Sequence, residues 1–302
     1  VFSLGGFCRR GIRLVFLDSD VLQSMTKQED DKRHKYAFMM SAHRDAWVKF
    51  GRKQFGAQFA KDRAHVRSAF AATSSPEAAS KLIKSYFQGP AHVGWMAALK
   101  IVWVETGKAS IEYMHNFLTG KSYGFKQDDP LIEDIQSTWE QRVSDRIKTS
   151  FKDKIKGITD TTQDDVHNTI ADGVADGKGH YEIGKLVDDK LDETWPGRGE
   201  TISRTEAGSA MNRATLEDAN AMAPDLYKKW AATMVNTRET HQDADAGDAI
   251  PQDEQFDVGD DSMDCPGDES ASPEEIINCG CCLLFVPAPD EEKPAPEEPA
   301  AE

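Results

Sequence analysis

Apolar residues at Ala46, Trp47, Phe50, Phe55, Phe59, Val66 and Phe70 recur at helical spacing with basic residues between them. The pattern predicts one long amphipathic helix, interrupted at most at Gly51 and Gly56. In "SSPEAASKLIKSYF", Ser75 takes the N-cap position and Pro76 the first helical position, and the segment ends near Gly89 and Pro90. The following stretch "WMAALKIVWVETGKASIEYMHNFL" is apolar on more than one face, which predicts a buried hairpin partner. Aromatic and basic residues interleave here at Trp47, Phe55, Phe59, Tyr86, Trp95 and Trp103. At helical spacing they read as core, not as a base-stacking surface.

The segment "FKQDDP" reads as a linker, after which "LIEDIQSTWEQRVSDRIKTSFKDKI" resumes helical periodicity. A run of short, well-punctuated helices is expected next. One starts at Thr161 or Thr162 as N-cap, carries Val166, Ile170 and Val174 on one stripe, and stops at Gly177 and Gly179. A second covers His180 to Leu191, and a third covers "GETISRTEAGSAMNRATLEDANAM" and closes at Pro224. From Tyr227 the texture changes to strand and turn in "YKKWAATMVNTRETH", a short strand in "QFDVG" and a β-rich run in "IINCGCCLLFV". The spacer "DDSMDCPGDESASPEE" reads as loop, and residues 288–302 as a disordered acidic, proline-rich tail.

The fold class predicted is α+β and mainly helical, with an elongated N-terminal helical region followed by a small C-terminal α+β module of short strands. Residues 1–45 read as an extension, the remainder of a longer polypeptide, and residues 46–125 as a basic helical region. Residues 126–287 form the following domain, with helices over 126–222 and the strand and turn module over 223–287.

Charge divides along the same line. Residues 1–156 hold 26 Lys and Arg against 17 Asp and Glu, a net of +9; residues 157–302 hold 10 against 35, a net of −25. The basic half suits DNA or an acidic protein, and the acidic half repels nucleic acid. Solvated lysine-rich helices give the same counts. Of five cysteines, Cys8 stands alone and the rest lie near the C-terminus, which is no secreted disulfide framework and suits a reducing cytoplasm. No run reaches the roughly 18 apolar residues of a membrane helix, so no membrane partner is expected.

Three constellations carry candidate chemistry. Arg204, Thr205 and Glu206, followed by Asn212, read either as polar ties from a helix to the next segment or as an acid and an anion clamp. Arg238 and His241 in "NTRETH" form either a hydrogen-bonded corner or a cationic notch for an anion or a metal. Cys279 and Cys281 share one face if they lie in a strand, with Cys282 on the other. Together with His241 and Cys265 they would supply three thiolates and one imidazole to zinc, although the spacing is not a zinc signature. Otherwise the cysteines are a buried strand and no cofactor is needed. No nucleotide loop, metalloprotease helix or nucleophile elbow occurs, and no catalytic residue is assigned.

The order of "ISRTEAGSAMNRA", "YKKWAATMVNTRETHQDADAG" and "CPGDESASPEEIINCGCCLLF" resembles the phage Mu F-like family of minor head proteins. The resemblance is carried by Arg204, Thr205, Glu206 and Asn212, then Trp230, Arg238 and His241. Pro266, Gly267, Asp268, Asn278, Cys279 and Cys281 complete it. Two departures stand out. Gly280 occupies the place of a basic residue within the cysteine pair, and no acid precedes Arg238 in "TMVNTR". If those two groups form an internal pair, their joint loss preserves the fold; if they form a site, this member has lost it.

The resemblance implies a virion protein of tailed phage that acts in head morphogenesis. It would sit in the head interior or at the portal vertex, and in the host cytoplasm during assembly. Its partners would be the portal protein, other capsid proteins and, through the basic half, packaged double-stranded DNA. Its motif residues would then be a folding signature. The competing reading is an enzyme acting on nucleic acid or a nucleotide, with Arg204, Glu206, Arg238 and His241 gathered in one cleft.

Overall fold

The structure, a computed structural model, describes residues 27–118, 130–233 and 237–288. Most of the N-terminal extension, residues 125–129 of the expected linker, and the tail from residue 289 lie outside the described residues.

The first helix, α1, runs without interruption over Lys27–Ala71, straight through Gly51 and Gly56. Its stripe of Phe55, Phe59, Val66 and Phe70 is buried. Helix α2 covers Pro76–Phe87, where Ser75 Oγ accepts the amide of Ala78 at 3.2 Å and so satisfies one of the donors a helix start leaves open. Helix α3 covers Pro90–Leu118 and is buried along most of its length, as its apolar character predicts. Helices α4, Pro130–Lys148, and α5, Phe151–Ala175, split the periodic stretch after the linker at Thr149 and Ser150.

The expected series of short helices is instead two long ones. Thr161 and Thr162 cap nothing. Their hydroxyls donate back to the carbonyls of Gly157 and Ile158, at 2.8 and 2.9 Å, inside α5. A Ser or Thr held inside a helix can bond back to the carbonyl four residues earlier, although the same residues favour helix starts. The stop at Gly177 and Gly179 is found, and α6 then runs unbroken over His180–Met222 with Pro196 inside it. A proline normally removes one backbone bond and crowds the preceding turn. Here tertiary packing prevails, because Trp195 on one side and Ser203 on the other are buried.

Helix α6 is the axis of the molecule. Helices α1 and α3 pack along it, and α4 and α5 close the remaining sides. One core runs through all six helices and includes Phe55, Trp95, Trp103, Trp139, Phe151 and Trp195. Inside it, Asp62 accepts from Gln58 Nε2 at 2.8 Å, Tyr86 OH at 2.7 Å and Trp95 Nε1 at 3.0 Å. Burial still lifts its pKa to about 6 against those bonds. The aromatic residues of α1 to α3 therefore serve the core.

The C-terminal module packs on the end of α6. Strands β1, Tyr227–Ala231, β2, Ile250–Pro251, and β5, Cys282–Val286, form an antiparallel sheet in the order β2-β1-β5, with Trp230 opposite Leu283. Helix α7, Glu239–Ala246, follows β1, and Asp245 accepts the amide of Ala232 at 3.0 Å to tie the two. The segment read as a plain loop contains strand β4, Asp261–Met263, paired with β3, Phe256–Val258. The short helix α8, Pro273–Ile276, spans its end and the first residue of the run read as β-rich. A second core joins this module to the start of α1 and the end of α6 through Tyr36, Met40, Met211, Trp230, Phe256 and Leu283. The architecture is mainly helical α+β, as the sequence predicts. No described helix is long and apolar enough to cross a membrane.

Two predictions follow from packing and burial. A Cβ at Gly107 would lie 2.1 Å from the Trp139 indole, whereas nothing lies within 4 Å of a Cβ at Gly157. Gly107→Ala is expected to cost about 1–3 kcal/mol of stability by overpacking. Gly157→Ala is expected to add up to about 1 kcal/mol, and urea unfolding of the two variants checks both. Asp218 is buried on α6 with neither oxygen hydrogen-bonded, and burial raises its pKa to about 8. A raised carboxyl pKa means the folded state holds the proton more tightly. The neutral form therefore supports folding at low pH, and that support is lost as pH rises from about 4 towards 8. Asp218→Asn is expected to flatten this decline, read from thermal unfolding at pH 5 and pH 8.

Candidate functional site

The motif residues converge on one segment, the chain between α8 and β5. Residues 277–281 belong to neither helix nor strand, yet they lead from exposed Ile277 and Asn278 to buried Cys279 and Cys281. Backbone groups outside regular structure need other partners when buried. The motifs supply them. Arg238 Nη2 donates to the carbonyl of Ile277. Thr205 Oγ1 accepts the amide of Asn278 at 3.0 Å. Asn212 Nδ2 donates to the carbonyl of Cys281 at 3.0 Å and, with its other hydrogen, to that of Pro266 at 3.0 Å. Asn278 itself has φ +59°, a left-handed conformation that asparagine tolerates better than most residues.

The Pro266–Gly267–Asp268 turn is seated against α6 in the same way. Gly267 has φ +76°, and a Cβ there would lie 2.6 Å from Ser209 Oγ, so the turn fits only with glycine. Asp268 accepts from the amides of Asp264, 2.8 Å, and Ser270, 3.0 Å, and pairs with Arg213 at 2.9 Å.

The missing basic residue at position 280 has a structural answer. Arg44 of α1 reaches across, and its Nη1 donates to the carbonyl of Gly280 at 2.6 Å. A Cβ at position 280 would lie 3.1 Å from that same nitrogen. The guanidinium thus occupies the space beside Gly280, and a positive charge reaches this loop from a residue 236 positions away in sequence. The sequence reading missed Arg44. Its signal is position: it stands four residues from buried Met40 and four from buried Val48, on an otherwise apolar stripe.

His241, Cys279 and Cys281 come together as a buried group whose ring nitrogen and sulfurs all lie within 4.8 Å of one another. His241 Nδ1 is 3.6 Å from Cys279 Sγ and 3.4 Å from Cys281 Sγ. The far nitrogen, Nε2, lies 2.9 Å from Glu275 Oε2, a short contact that is out of line for a hydrogen bond. Trp230 meets the imidazole edge to face at 5.2 Å. Interaction with Cys281 holds the Cys279 thiol well below its ordinary range, and Cys281 is raised in turn. Glu275 was also missed, and a glutamate in the first turn of a four-residue helix carries no distinguishing signal.

Two expectations about the cysteines change. Cys279 and Cys281 are not in a strand, because β5 begins at Cys282; a loop, not strand alternation, turns both sulfurs towards His241. Cys265 does not join them. It is buried beside Arg213 and Asp268, where burial pushes its thiol up to about 12. Cys282 packs instead in the second core, near Tyr36 and Arg44.

The four residues of the competing enzyme reading do not share a cleft. Arg204 is exposed on α6. The Glu206 carboxylate accepts from Trp103 Nε1 at 2.8 Å and pairs with Lys154 at 3.0 Å, and Lys154 also meets Glu269 at 3.4 Å. Arg238 serves the Ile277 carbonyl, and His241 faces the sulfurs.

Residues 164–284 match the family described as Phage Mu protein F like protein. No curated protein and no solved structure matches the chain. The matched residues include every motif position from Arg204 to Cys281.

Removing a pin should cost more than removing an exposed motif residue. Asn212→Ala strips partners from two carbonyls and is expected to lose about 2–4 kcal/mol. Thr205→Val, which keeps the shape but removes the acceptor, is expected to lose about 1–2 kcal/mol. Arg204→Ala should stay within about 0.5 kcal/mol of the unaltered chain. Denaturant unfolding monitored by tryptophan fluorescence separates the three.

Proposed function

We propose that this chain, a phage Mu F-like protein across residues 164–284, is a minor head protein. It acts in head morphogenesis and capsid assembly, bound to the portal protein on the inner side of the head. The family match supports the role in head morphogenesis. The observation that carries the non-catalytic reading is the employment of the motif side chains. Thr205, Asn212, Arg238 and Asp268 are bonded to backbone groups, and Glu206 is bonded to Trp103 and Lys154.

A contact with packaged DNA belongs to the same proposal, with a narrower footing. Several arginines of the basic half are engaged within the chain. Arg52 pairs with Glu200 at 2.8 Å, and Arg63 and Arg67 each meet Asp188 at 2.6 Å. Exposed lysines of the basic half, among them Lys49, Lys53 and Lys61 on α1, are the side chains that would meet a phosphate backbone.

Heads purified from cells expressing the phage's structural genes are expected to contain this chain, and its deletion is expected to lower the yield of finished heads. A chain absent from purified heads, with normal head yield after its deletion, would overturn the proposal.

A further inference from the structure

We propose that His241, Cys279 and Cys281 are three protein ligands of a zinc ion, bound through His241 Nδ1 and the two Sγ atoms. The donor set is the first support. Two thiolates and an imidazole favour zinc over magnesium or calcium, which take oxygen. The spacing is the second. Tetrahedral zinc with bonds of about 2.05 Å to nitrogen and 2.3 Å to sulfur places N and S about 3.6 Å apart. The two observed separations are 3.6 and 3.4 Å. A single imidazole lone pair that lies near both sulfurs at similar distance suits an ion between them better than it suits two separate S–H bonds.

A carboxylate stands beside the far ring nitrogen, where metal-bound histidines commonly have one. Glu275 lies 2.9 Å from the far ring nitrogen, and it also accepts from Thr240 Oγ1 at 2.9 Å, which fixes its carboxylate. A carboxylate there favours the proton on Nε2 and leaves the Nδ1 lone pair towards the sulfurs. All three ligand residues are buried, at 1%, 6% and 2% exposure. Two thiolates neutralise the dication, so the bound site carries no net charge into the second core; binding releases whatever thiol proton the pair still holds. Among the described residues the ligand group has three members, and tetrahedral zinc takes a fourth donor. Such an ion would join α7 to the loop before β5, beside the bonds from Arg238 to Ile277 and from Thr240 to Glu275.

The test uses the full chain, reduced and stripped of metal, titrated with cobalt(II) and then zinc(II). One cobalt per chain is expected, with thiolate-to-cobalt charge-transfer absorption that zinc abolishes. Cys279→Ser and Cys281→Ser should each weaken zinc binding by more than about 100-fold, and Glu275→Gln by about 10-fold. Cys265→Ser should leave it unchanged. If a serine variant fails to fold, the cobalt spectrum of the unaltered chain still decides. A reduced chain that takes up neither ion at micromolar concentration would overturn the site. So would metal retained by both serine variants, or a Cys279–Cys281 disulfide that persists under reducing conditions.

Discussion

The two hydrogen bonds donated by one amide, that of Asn212, join the helical body to the C-terminal module. Its nitrogen reaches Pro266 and Cys281, two carbonyls in separate loops, from a single position on α6. Neither loop has a strand or helix to satisfy its backbone, and a buried carbonyl without a donor is costly. The remaining motif residues extend the same solution along the chain. Thr205 lies two turns earlier on α6 and holds Asn278, while Arg238 and Arg44 approach from other elements to hold Ile277 and Gly280. With the loop fixed in this way, β5 enters the sheet beside β1, and Cys279 and Cys281 face His241.

Part of the opposed charge on the two halves of the chain is paired internally. Arginines of α1 meet acids of α6, and Arg142 and Arg146 of α4 meet Glu217 near its end. Exposed pairs of this kind contribute little individually, about 0–1 kcal/mol each. Their repetition along two helices favours one pairing of partners over others, because a shifted alignment would set like charges together. The paired arginines are correspondingly less available to a nucleic acid than the raw count of basic residues implies.

Elements defined by local chemistry were legible in the sequence. Ser75 with Pro76, the stop at Gly177 and Gly179, and the strand at Phe256 to Val258 each depend on residues within a few positions. Elements decided by tertiary packing were not. Threonines at 161 and 162 look like caps, and Pro196 with Gly197 and Gly199 looks like a break, until burial of Trp195 and Ser203 holds α6 through them. The cysteine pair was recognised as sharing a face, but strand alternation was the wrong reason. A turn with left-handed Asn278 does the work, and no spacing rule reports it. Arg44 and Glu275 complete the site from 236 positions before Gly280 and from 34 positions beyond His241, distances at which a single sequence carries no pairing signal.

The central claim is that side chains outside the loop hold residues 277–281 in place. Amide hydrogen exchange of the full chain measures this directly at Asn278, whose amide is bonded to Thr205, and at Cys282, next to the Asn212 contact. Both amides are predicted to exchange slowly, at rates close to those of buried amides in β5, and Asn278 alone to accelerate in Thr205→Val. Fast exchange at Asn278 in the unaltered chain, at the rate of an open surface loop, would contradict the account.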